Sequence, residues 1–287
     1  MSGDTIFNVQ EHLEYRKKRY HNADITNKLL LGLSTVEINP TELCNRTCSF
    51  CPRSNPEVYP NRNLNMTVET ATKISTQLND ANFTGDIHIT GFGEPTLNPN
   101  ILDIIKAFSN NFFTEMITNG DRLTSGRLTH KQLSENGLDS LIVDCYDGPE
   151  QTESIKNLLE EFEGQKRIRN HYDTGESKLF DLYNYNNRGG AIDIKEFQTL
   201  QRQCYMPMYK AFIDWNGDVL LCCNDWARKQ LPFGNVNKDT FSNIWMNQMF
   251  TRVRKTLLQG NRSRLSACQK CVTDGCKGGV EIVLLWK

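Results

Sequence analysis

The sequence predicts an α/β protein with a parallel sheet, followed by a small C-terminal unit made of a β-hairpin and a helix. Two patterns lead to this prediction. From residue 34 to about residue 190, short apolar runs alternate with amphipathic helical patterns, and this alternation requires crossover connections between parallel strands. After about residue 195, two β-type runs flank Asn216 and Gly217, a pair that is typical of a hairpin turn. The parallel sheet is either open or curled into a barrel.

The α/β part contains six candidate strands and three clear helices. The strands are predicted over residues 35–39, 86–90, 114–118, 140–144, 167–171 and 181–185. A first helix is predicted over residues 67–78, where apolar side chains recur every three or four residues. The second helix has Asn98 as its N-cap and Pro99 at its first helical position, and the third begins at Pro149.

The C-terminal unit is predicted to hold the hairpin, over residues 210–215 and 218–222, and one helix over residues 241–258. We place the boundary before this unit near residues 191–203. The chain then divides into a helical N-terminal extension over residues 1–33, an α/β unit over residues 34–195 and the C-terminal unit over residues 196–287.

Composition and charge exclude several function classes. The 287 residues include 33 Lys and Arg against 34 Asp and Glu, so nothing attracts the whole chain to nucleic acid or an anionic membrane. The basic run at residues 16–19 is interpreted as the solvated face of a helix, with a nucleic-acid or partner contact as the alternative. The longest apolar run, residues 282–286, falls far short of the roughly 18 residues of a membrane helix. The N-terminus lacks the apolar core of a signal peptide. We therefore expect a cytoplasmic protein with neither nucleic acid nor a membrane as partner.

The ten cysteines point to metal binding, because structural disulfides are unusual in the cytosol. Three of them, Cys44, Cys48 and Cys51, lie on one loop directly after the first predicted strand. A closed zinc site needs four ligands, and no fourth cysteine or histidine lies nearby. On a cubane iron–sulfur cluster, three thiolates would leave one iron open for a small molecule. A zinc site completed by a distant residue remains the alternative.

The motif CNRTCSFC around these cysteines resembles the C-x3-C-x-aromatic-C motif of radical S-adenosylmethionine enzymes. The resemblance implies a partial parallel (β/α)6 barrel. It also implies that Cys44, Cys48 and Cys51 hold a [4Fe–4S] cluster whose fourth iron is chelated by the amino and carboxylate groups of S-adenosylmethionine. Phe50 is then expected to pack near the adenine.

Three further motifs of the same family follow in the expected order. Residues 91–95, GFGEP, resemble the family's GGEP motif, with Phe92 in place of the second glycine. The resemblance implies that Gly91, Gly93 and Glu94 meet the methionine ammonium. Residues 118–120, TNG, are similar to a ribose-facing motif that includes Asn119. Residues 145–148, CYDG, stand where relatives show S-x-D-G, so Cys145 is expected to be a packed or site-lining residue.

A second group of cysteines, Cys204, Cys222, Cys268 and Cys271, suits zinc or a [4Fe–4S] cluster equally well on spacing alone. The sequence around them, at residues 217–222, 233–236 and 244–245, resembles the SPASM/twitch extension of the same enzymes. That resemblance implies one auxiliary [4Fe–4S] cluster, because a full SPASM domain uses more cysteines than this chain offers. Cys223 and Cys276 are expected to be packed thiols, with ligation as the alternative.

Taken together, the resemblance implies an oxidoreductase that cleaves S-adenosylmethionine to a 5′-deoxyadenosyl radical and abstracts a substrate hydrogen. The expected reaction is dehydrogenation of a sugar, polyol or aminocyclitol, with the auxiliary cluster as electron acceptor and a flavodoxin or ferredoxin as external donor. Arg188 corresponds to an arginine assigned as base in a relative, although arginine is a poor base and anchoring an anionic group is its other interpretation. Further catalytic candidates are Asp147, Cys145, Tyr146, His88 and His171.

Two alternatives remain at the level of sequence. The enzyme could modify a peptide by epimerisation or cross-linking, in which case Cys145 or Cys223 could donate a hydrogen atom. The residues before the first strand are too few for the leader-binding domain that peptide-modifying relatives often carry, which weakens this alternative. A non-catalytic metal-binding protein is the remote alternative.

Overall fold

The computed structural model describes residues 6–7, 14–16, 24–172, 187–192, 201–273, 275 and 284–286. Within these ranges one sheet has eight strands in the order β1-β6-β5-β4-β3-β2-β7-β8. The strands are Ile6–Phe7 (β1), Thr35–Ile38 (β2), Asp86–Ile89 (β3), Thr114–Thr118 (β4), Ser140–Cys145 (β5), Gln165–Asn170 (β6), Lys210–Ile213 (β7) and Val219–Leu220 (β8). All neighbours run parallel except β7 and β8, which form an antiparallel hairpin.

These strands confirm most of the sequence prediction. Five of the six strands predicted for the α/β part are present, and Thr114–Thr118 agrees at both ends. The sixth, predicted over residues 181–185, lies outside the described residues. The predicted hairpin is also present, and Gly217 in its turn has a φ of +87°, a conformation that glycine adopts without steric cost.

The two faces of the sheet differ in chemistry because side chains alternate along each strand. Ile38, Ile89, Met116 and Leu141 are neighbours in register on one face and belong to the main apolar core with the helices. On the other face a buried polar row runs across the same strands, formed by Glu37, His88, Glu115 and Ser140. The sheet is curled into a partial barrel, and this polar row lines its interior.

Helices return the chain between the parallel strands. They span Val68–Asp80 (α1), Ile101–Ser109 (α2), Asp121–Thr124 (α3), His130–Glu135 (α4) and Pro149–Leu159 (α5). The side chain of Thr67 caps α1 by accepting a hydrogen bond from the Thr70 N–H. Among the described residues, no helix has the length and apolarity needed to cross a membrane.

The predicted start of α2 is wrong. Asn100, and not Asn98, is its N-cap, so Pro99 precedes the helix. Asn98 is used elsewhere, since its buried amide donates to the carbonyl oxygens of Pro40 at 2.7 Å and Met66 at 3.0 Å. These hydrogen bonds hold the backbone at Pro40, just before the first cysteine loop.

The C-terminal part contains helices Met206–Tyr209 (α6), Phe241–Met246 (α7) and Gln248–Leu258 (α8). The single helix predicted over residues 241–258 is thus divided in two. Asn247 has an extended backbone at the break, and its side chain accepts a hydrogen bond from the Phe250 N–H at 2.7 Å. Asparagine is a preferred N-cap, and this preference explains the new start.

The hairpin does not form a separate sheet, because β7 pairs in parallel with β2. Ile38 faces Ile213 across this pair, and Thr35 faces Lys210. The loop after β2, which carries the first three cysteines, is therefore brought beside the loops of the hairpin.

The N-terminal extension differs from expectation in its described residues. Ile6–Phe7 form a strand that pairs with β6, residues 14–16 are helical, and residues 24–33 contain turns. The solvated interpretation of the basic run is wrong for Arg16, which is buried and forms an ion pair with Glu115 and a hydrogen bond with His88. A buried carboxylate needs such a partner. Residues 17–19 lie outside the described part of the chain.

Candidate active site

The first cysteine loop leaves β2 at its C-terminal end, where parallel α/β proteins place their chemistry. Cys44, Cys48 and Cys51 are half-buried on this loop. Asn61 holds the loop, since its side chain accepts from the Cys44 N–H at 2.9 Å and donates to the Cys44 carbonyl at 3.0 Å. Burial raises the pKa of Cys44 to about 11 and also raises that of Cys48. The loop thus presents three thiols that a cationic cluster would convert to thiolates.

The GFGEP loop packs directly against the backbone that leads into Cys44. A Cβ on Gly93 would collide with the Thr41 carbonyl and would lie 2.5 Å from the Leu43 carbonyl oxygen. A Cβ on Gly91, whose φ is +103°, would lie 2.6 Å from Cα of Asn39. Only glycine permits this approach, which explains both motif glycines.

Glu94 is buried at the point where β3 and β4 end, and its carboxylate accepts four hydrogen bonds. Oε1 accepts from the N–H and hydroxyl of Thr96, at 3.1 and 2.7 Å, and from the Thr118 hydroxyl at 2.5 Å. Oε2 accepts from the Asn119 N–H at 2.8 Å. Burial raises the pKa of Glu94, and these hydrogen bonds oppose the shift. The motifs after β3 and β4 are thereby joined.

Asn45 and Arg46, inside the cysteine motif, tie that loop to the loops after β4 and β5. Arg46 donates to both carboxylate oxygens of Asp121, at 2.8 and 2.6 Å, and of Asp147, at 2.9 and 2.7 Å. The Asn119 amide donates to Asn45 Oδ1 at 2.9 Å. Sequence reasoning missed these two residues, although they lie within CNRTC. The hydrogen bonds from Arg46 lower the pKa of Asp147, so this candidate base is engaged as an ion-pair partner.

Phe50 belongs to a group of three stacked rings at the C-terminal ends of β5 and β6. Its ring centroid lies 5.8 Å from that of Tyr146 and 6.0 Å from that of His171. His171 Nε2 lies 3.2 Å from a carboxylate oxygen of Asp144. Burial would raise the pKa of Asp144, but Arg169 and His171 outweigh burial and hold it well below its usual range. The predicted adenine contact is therefore next to a buried charged group.

Two of the other candidates lie elsewhere. Cys145 is fully buried in the main apolar core and interacts with the Thr152 side chain of α5, so it is on the helix-facing side of the sheet. His88 lies in the polar row beside Arg16, one residue before the end of its strand. The structure does not bring either residue to the first cysteine loop.

The second group of cysteines converges on one cavity. Cys204, Cys222, Cys268 and Cys271 all line it, together with apolar side chains that include Leu221, Leu257 and Ala267. Burial raises the pKa of Cys222 well above its usual value, and the nearby Cys223, Cys268 and Cys271 add to the shift. The pKa of Cys268 is raised by burial and then by Cys204 and Cys271. Cys276 lies outside the described residues.

Arg188 lies on a short segment that docks beside this cavity. Asn187 donates to the Lys270 carbonyl and accepts from the Val272 N–H at 3.2 Å, which fastens the segment to the residues around Cys271. Arg188 has a φ of +50°, an unusual value for a non-glycine residue. Its charge acts on Cys223, where burial raises the pKa to about 11 and Lys210 and Arg188 oppose that shift.

An aromatic group lies between the two cysteine regions. It consists of the rings of Tyr59, Phe92, Phe212 and Trp226 together with the aliphatic Leu220, and Cys51, Ala191 and Cys223 pack against it. The ring of Phe92 lies 4.7 Å from that of Phe212 and 4.6 Å from that of Trp226. This packing explains why the chain has phenylalanine at the second glycine position of the family motif.

Comparisons with known proteins agree with this arrangement. The model of the Radical SAM superfamily matches residues 38–174, and the SPASM model, an iron–sulfur cluster-binding domain, matches residues 204–272. The S-adenosyl-L-methionine-dependent 2-deoxy-scyllo-inosamine dehydrogenase of Niallia circulans is 29% identical over 244 residues, which cover 83% of this chain and 92% of the relative.

Solved structures give the same picture. BtrN in complex with AdoMet and 2-DOIA superposes with a TM-score of 0.72 at 26% identity, over 86% of this chain and 96% of that one. The anSMEcpe structure with bound AdoMet shares the fold, with a TM-score of 0.51 at 15% identity over 83% and 88% of the two chains. The chain therefore carries a Radical SAM domain and a C-terminal SPASM domain, and these domains imply an enzyme that uses S-adenosylmethionine, a radical-site [4Fe–4S] cluster and an auxiliary iron–sulfur cluster.

Proposed function

We propose that this enzyme dehydrogenates a secondary hydroxyl group of a small polyhydroxylated molecule, a sugar, polyol or aminocyclitol. The observation that carries the proposal is the cavity lined by Cys204, Cys222, Cys268 and Cys271. Four thiolates can occupy all four irons of a cubane, which leaves no iron free to bind substrate. An auxiliary cluster held in this way would supply the one-electron acceptor that an oxidation requires.

The ligand assignment is part of the proposal. Cys44, Cys48 and Cys51 would hold the radical-site cluster, and the four cavity cysteines would hold the auxiliary one. Over the described ranges, no three His, Cys, Asp or Glu side chains are close enough together to hold a single metal ion. A cubane places each thiolate on a different iron, so wider spacing suits a cluster better than zinc.

The residues around the first loop have separate binding roles in this proposal. Gly91 and Gly93 let the GFGEP loop pack against the backbone before Cys44, which would place the loop beside S-adenosylmethionine, and Glu94 would accept hydrogen bonds from its ammonium group. Asn119 and Phe50 are assigned to the ribose and the adenine. When bound, S-adenosylmethionine and the two clusters supply a carbon radical that takes a hydrogen atom, and an acceptor for one electron.

Oxidation of a secondary alcohol to a ketone removes one hydrogen atom from carbon, one electron, and one proton from oxygen. Arg188 is our candidate for the group that stabilises the oxygen as it loses the hydroxyl proton, which would pass to solvent because a protonated guanidinium has no acceptor for it. Its strained backbone is held by the hydrogen bonds of Asn187, as is common for functional residues. Asp147 is poorly suited to accept the hydroxyl proton, because Arg46 donates hydrogen bonds to both of its carboxylate oxygens.

The polarity of the barrel interior favours a hydrophilic substrate. Glu37 forms an ion pair with Lys210, and Asp144 forms one with Arg169. Such pairs make the interior polar, which suits the hydroxyl and amino groups of a ring substrate better than an apolar side chain. The similarity to an inosamine dehydrogenase supports the same substrate class.

The test is an anaerobic assay of the reconstituted enzyme with a reductant such as flavodoxin or ferredoxin and a panel of sugars and aminocyclitols. The panel includes 2-deoxy-scyllo-inosamine and its analogue deuterated at each ring carbon in turn. We expect 5′-deoxyadenosine and ketone in equal amounts, with deuterium transferred from one carbon to 5′-deoxyadenosine. A product at the oxidation level of the substrate, or turnover with peptides alone, would contradict the proposal.

A further inference from the structure

Arg228, in the loop that follows Cys222 and Cys223, has a backbone that a non-glycine residue rarely adopts. Its φ is +47°, in the left-handed region. Such a conformation costs free energy and persists where surrounding contacts enforce it. The contacts that enforce it here come from the guanidinium group.

Each nitrogen of that guanidinium donates to a different residue. Nε donates to Asp214 Oδ2 at 2.6 Å, Nη1 to the Tyr59 hydroxyl at 2.9 Å and Nη2 to Glu42 Oε1 at 2.6 Å. Glu42 and Tyr59 flank the first cysteine loop, and Asp214 directly follows β7. Arg228 therefore connects the loop of the auxiliary site with both ends of the radical-site loop.

The network closes on itself beneath these contacts. The Asn39 amide donates to Glu42 Oε1 and Asp214 Oδ1, both at 2.8 Å, and the Tyr59 hydroxyl donates to Glu42 Oε2 at 2.6 Å. Glu42 is 3% exposed and Asp214 is 1% exposed. Two buried carboxylates this close together need a cation, so the position of Arg228 determines how the loops pack.

The network also supports the aromatic group between the cysteine regions. The Arg228 guanidinium lies 5.2 Å from the ring centroid of Phe92 and 5.7 Å from that of Tyr59. Cys51 and Cys223 both pack against this aromatic group. A shift of Arg228 would therefore move Cys51 in the radical-site loop. It would also move Cys223, which follows the cavity cysteine Cys222 in the auxiliary-site loop.

We propose that Arg228 is a positioning residue that fixes the distance and orientation between the radical-site loop and the auxiliary-site loop. The inference rests on the proposed function, in which the substrate radical loses one electron to the auxiliary cluster while its hydroxyl loses a proton. Electron transfer falls steeply with distance. A loosened Arg228 would thus let the substrate radical take other routes, and S-adenosylmethionine would be consumed without forming ketone.

The test compares Arg228→Met and Arg228→Lys with the parent, and with Arg252→Met as a matched control, since Arg252 is exposed on α8. Iron content, the magnetic coupling between the two reduced clusters and the ratio of 5′-deoxyadenosine to ketone are measured. We expect Arg228→Met to retain its iron, to show a broadened distribution of cluster distances and to raise the ratio at least threefold. Arg228→Lys keeps the charge but has one donor nitrogen in place of three, so its results should fall between those of Arg228→Met and the parent.

Unchanged coupling and an unchanged ratio in iron-loaded Arg228→Met would overturn the inference. If that variant loses iron, Tyr59→Phe, which removes one hydroxyl from the network, takes its place beside Arg228→Lys. Loss of iron from all three variants would show a purely structural role and would also overturn it. Absence of ketone from the parent would count against the proposed function alone, because the magnetic coupling still tests Arg228.

Discussion

The backbone N–H of Asn119 donates to the carboxylate of Glu94 at 2.8 Å, and so joins two motifs that follow different strands. The Glu94 carboxylate accepts three more hydrogen bonds, from the N–H and hydroxyl of Thr96 and from the hydroxyl of Thr118. Its orientation is consequently fixed before any ligand binds. A carboxylate held in this way meets an ammonium group without further loss of side-chain entropy.

Glu94→Gln should weaken binding of S-adenosylmethionine while leaving both clusters in place. Replacing a charged acceptor removes about 1.5–3 kcal/mol, which corresponds to a rise in Kd of roughly 10- to 100-fold. Anaerobic titration calorimetry measures the change, with iron content determined on the same sample. The control is Glu153→Gln on the exposed face of α5. Equal affinity for Glu94→Gln and the parent would remove Glu94 from the binding site.

Gly93→Ala should disrupt the radical-site loop because the new Cβ meets two backbone carbonyls that have no room to move. We expect a loss of about 1–3 kcal/mol in unfolding free energy and a lower iron content. Gly126→Ala is the matched control, since nothing lies within 4 Å of its Cβ and only its φ of +69° opposes the change. Thermal unfolding and the iron content of both variants are measured. An iron content in Gly93→Ala equal to that of the parent would contradict the close packing of this glycine against the radical-site loop.

Removing either group of candidate cysteine ligands should lower the iron content per chain by half. The parent is expected to hold about eight irons per chain, and Cys44/Cys48/Cys51→Ala about four. Cys268/Cys271→Ala should also hold about four, because it leaves only two of the cavity thiols. Cys145→Ala is the control, since Cys145 lies in the apolar core and is in neither group of candidate ligands. Four irons plus one zinc in the parent would make the C-terminal site structural and would end its role as electron acceptor.

Arg16→Met should be strongly destabilising, because it removes the closest ion-pair partner of the buried Glu115 and leaves Arg167, at 4.0 Å, as its nearest arginine. Removing one member of a buried pair costs about 3–5 kcal/mol. Denaturant unfolding gives the difference, and the double variant Arg16→Met, Glu115→Gln should recover part of the loss since no charge is then left behind. A difference below about 0.5 kcal/mol would mean that Arg16 is held loosely at the surface.

Much of the fold follows from local patterns, and the errors have a common physical origin. Apolar periodicity located the strands, and the spacing of the cysteines located both candidate cluster loops. The local sequence predicts Asn98 as a helix cap, yet its side-chain amide donates to the carbonyl oxygens of Pro40 and Met66, which are distant in sequence. Arg16 likewise reads as solvated until its partner Glu115 is known. Local signals do not report such tertiary competition.

The break at Asn247 is a different kind of error, because its signal was present. Asparagine favours the N-cap position, and the helical pattern on both sides hid that preference. Arg46 could also have been identified as a site residue, since it lies inside the cysteine motif. Its two carboxylate partners, Asp121 and Asp147, come from different loops, so only the assembled barrel shows what it binds.

The parallel pairing of β7 with β2 has a consequence for how the molecule comes apart. Strand Thr35–Ile38 is buried along its whole length and has a neighbour on each side. A chain cut before residue 201 would turn it into an open edge, with unpaired N–H and C=O groups that invite association with other chains. The two regions that carry the candidate cluster ligands are therefore expected to unfold in one cooperative transition, and residues 1–200 made alone are expected to aggregate.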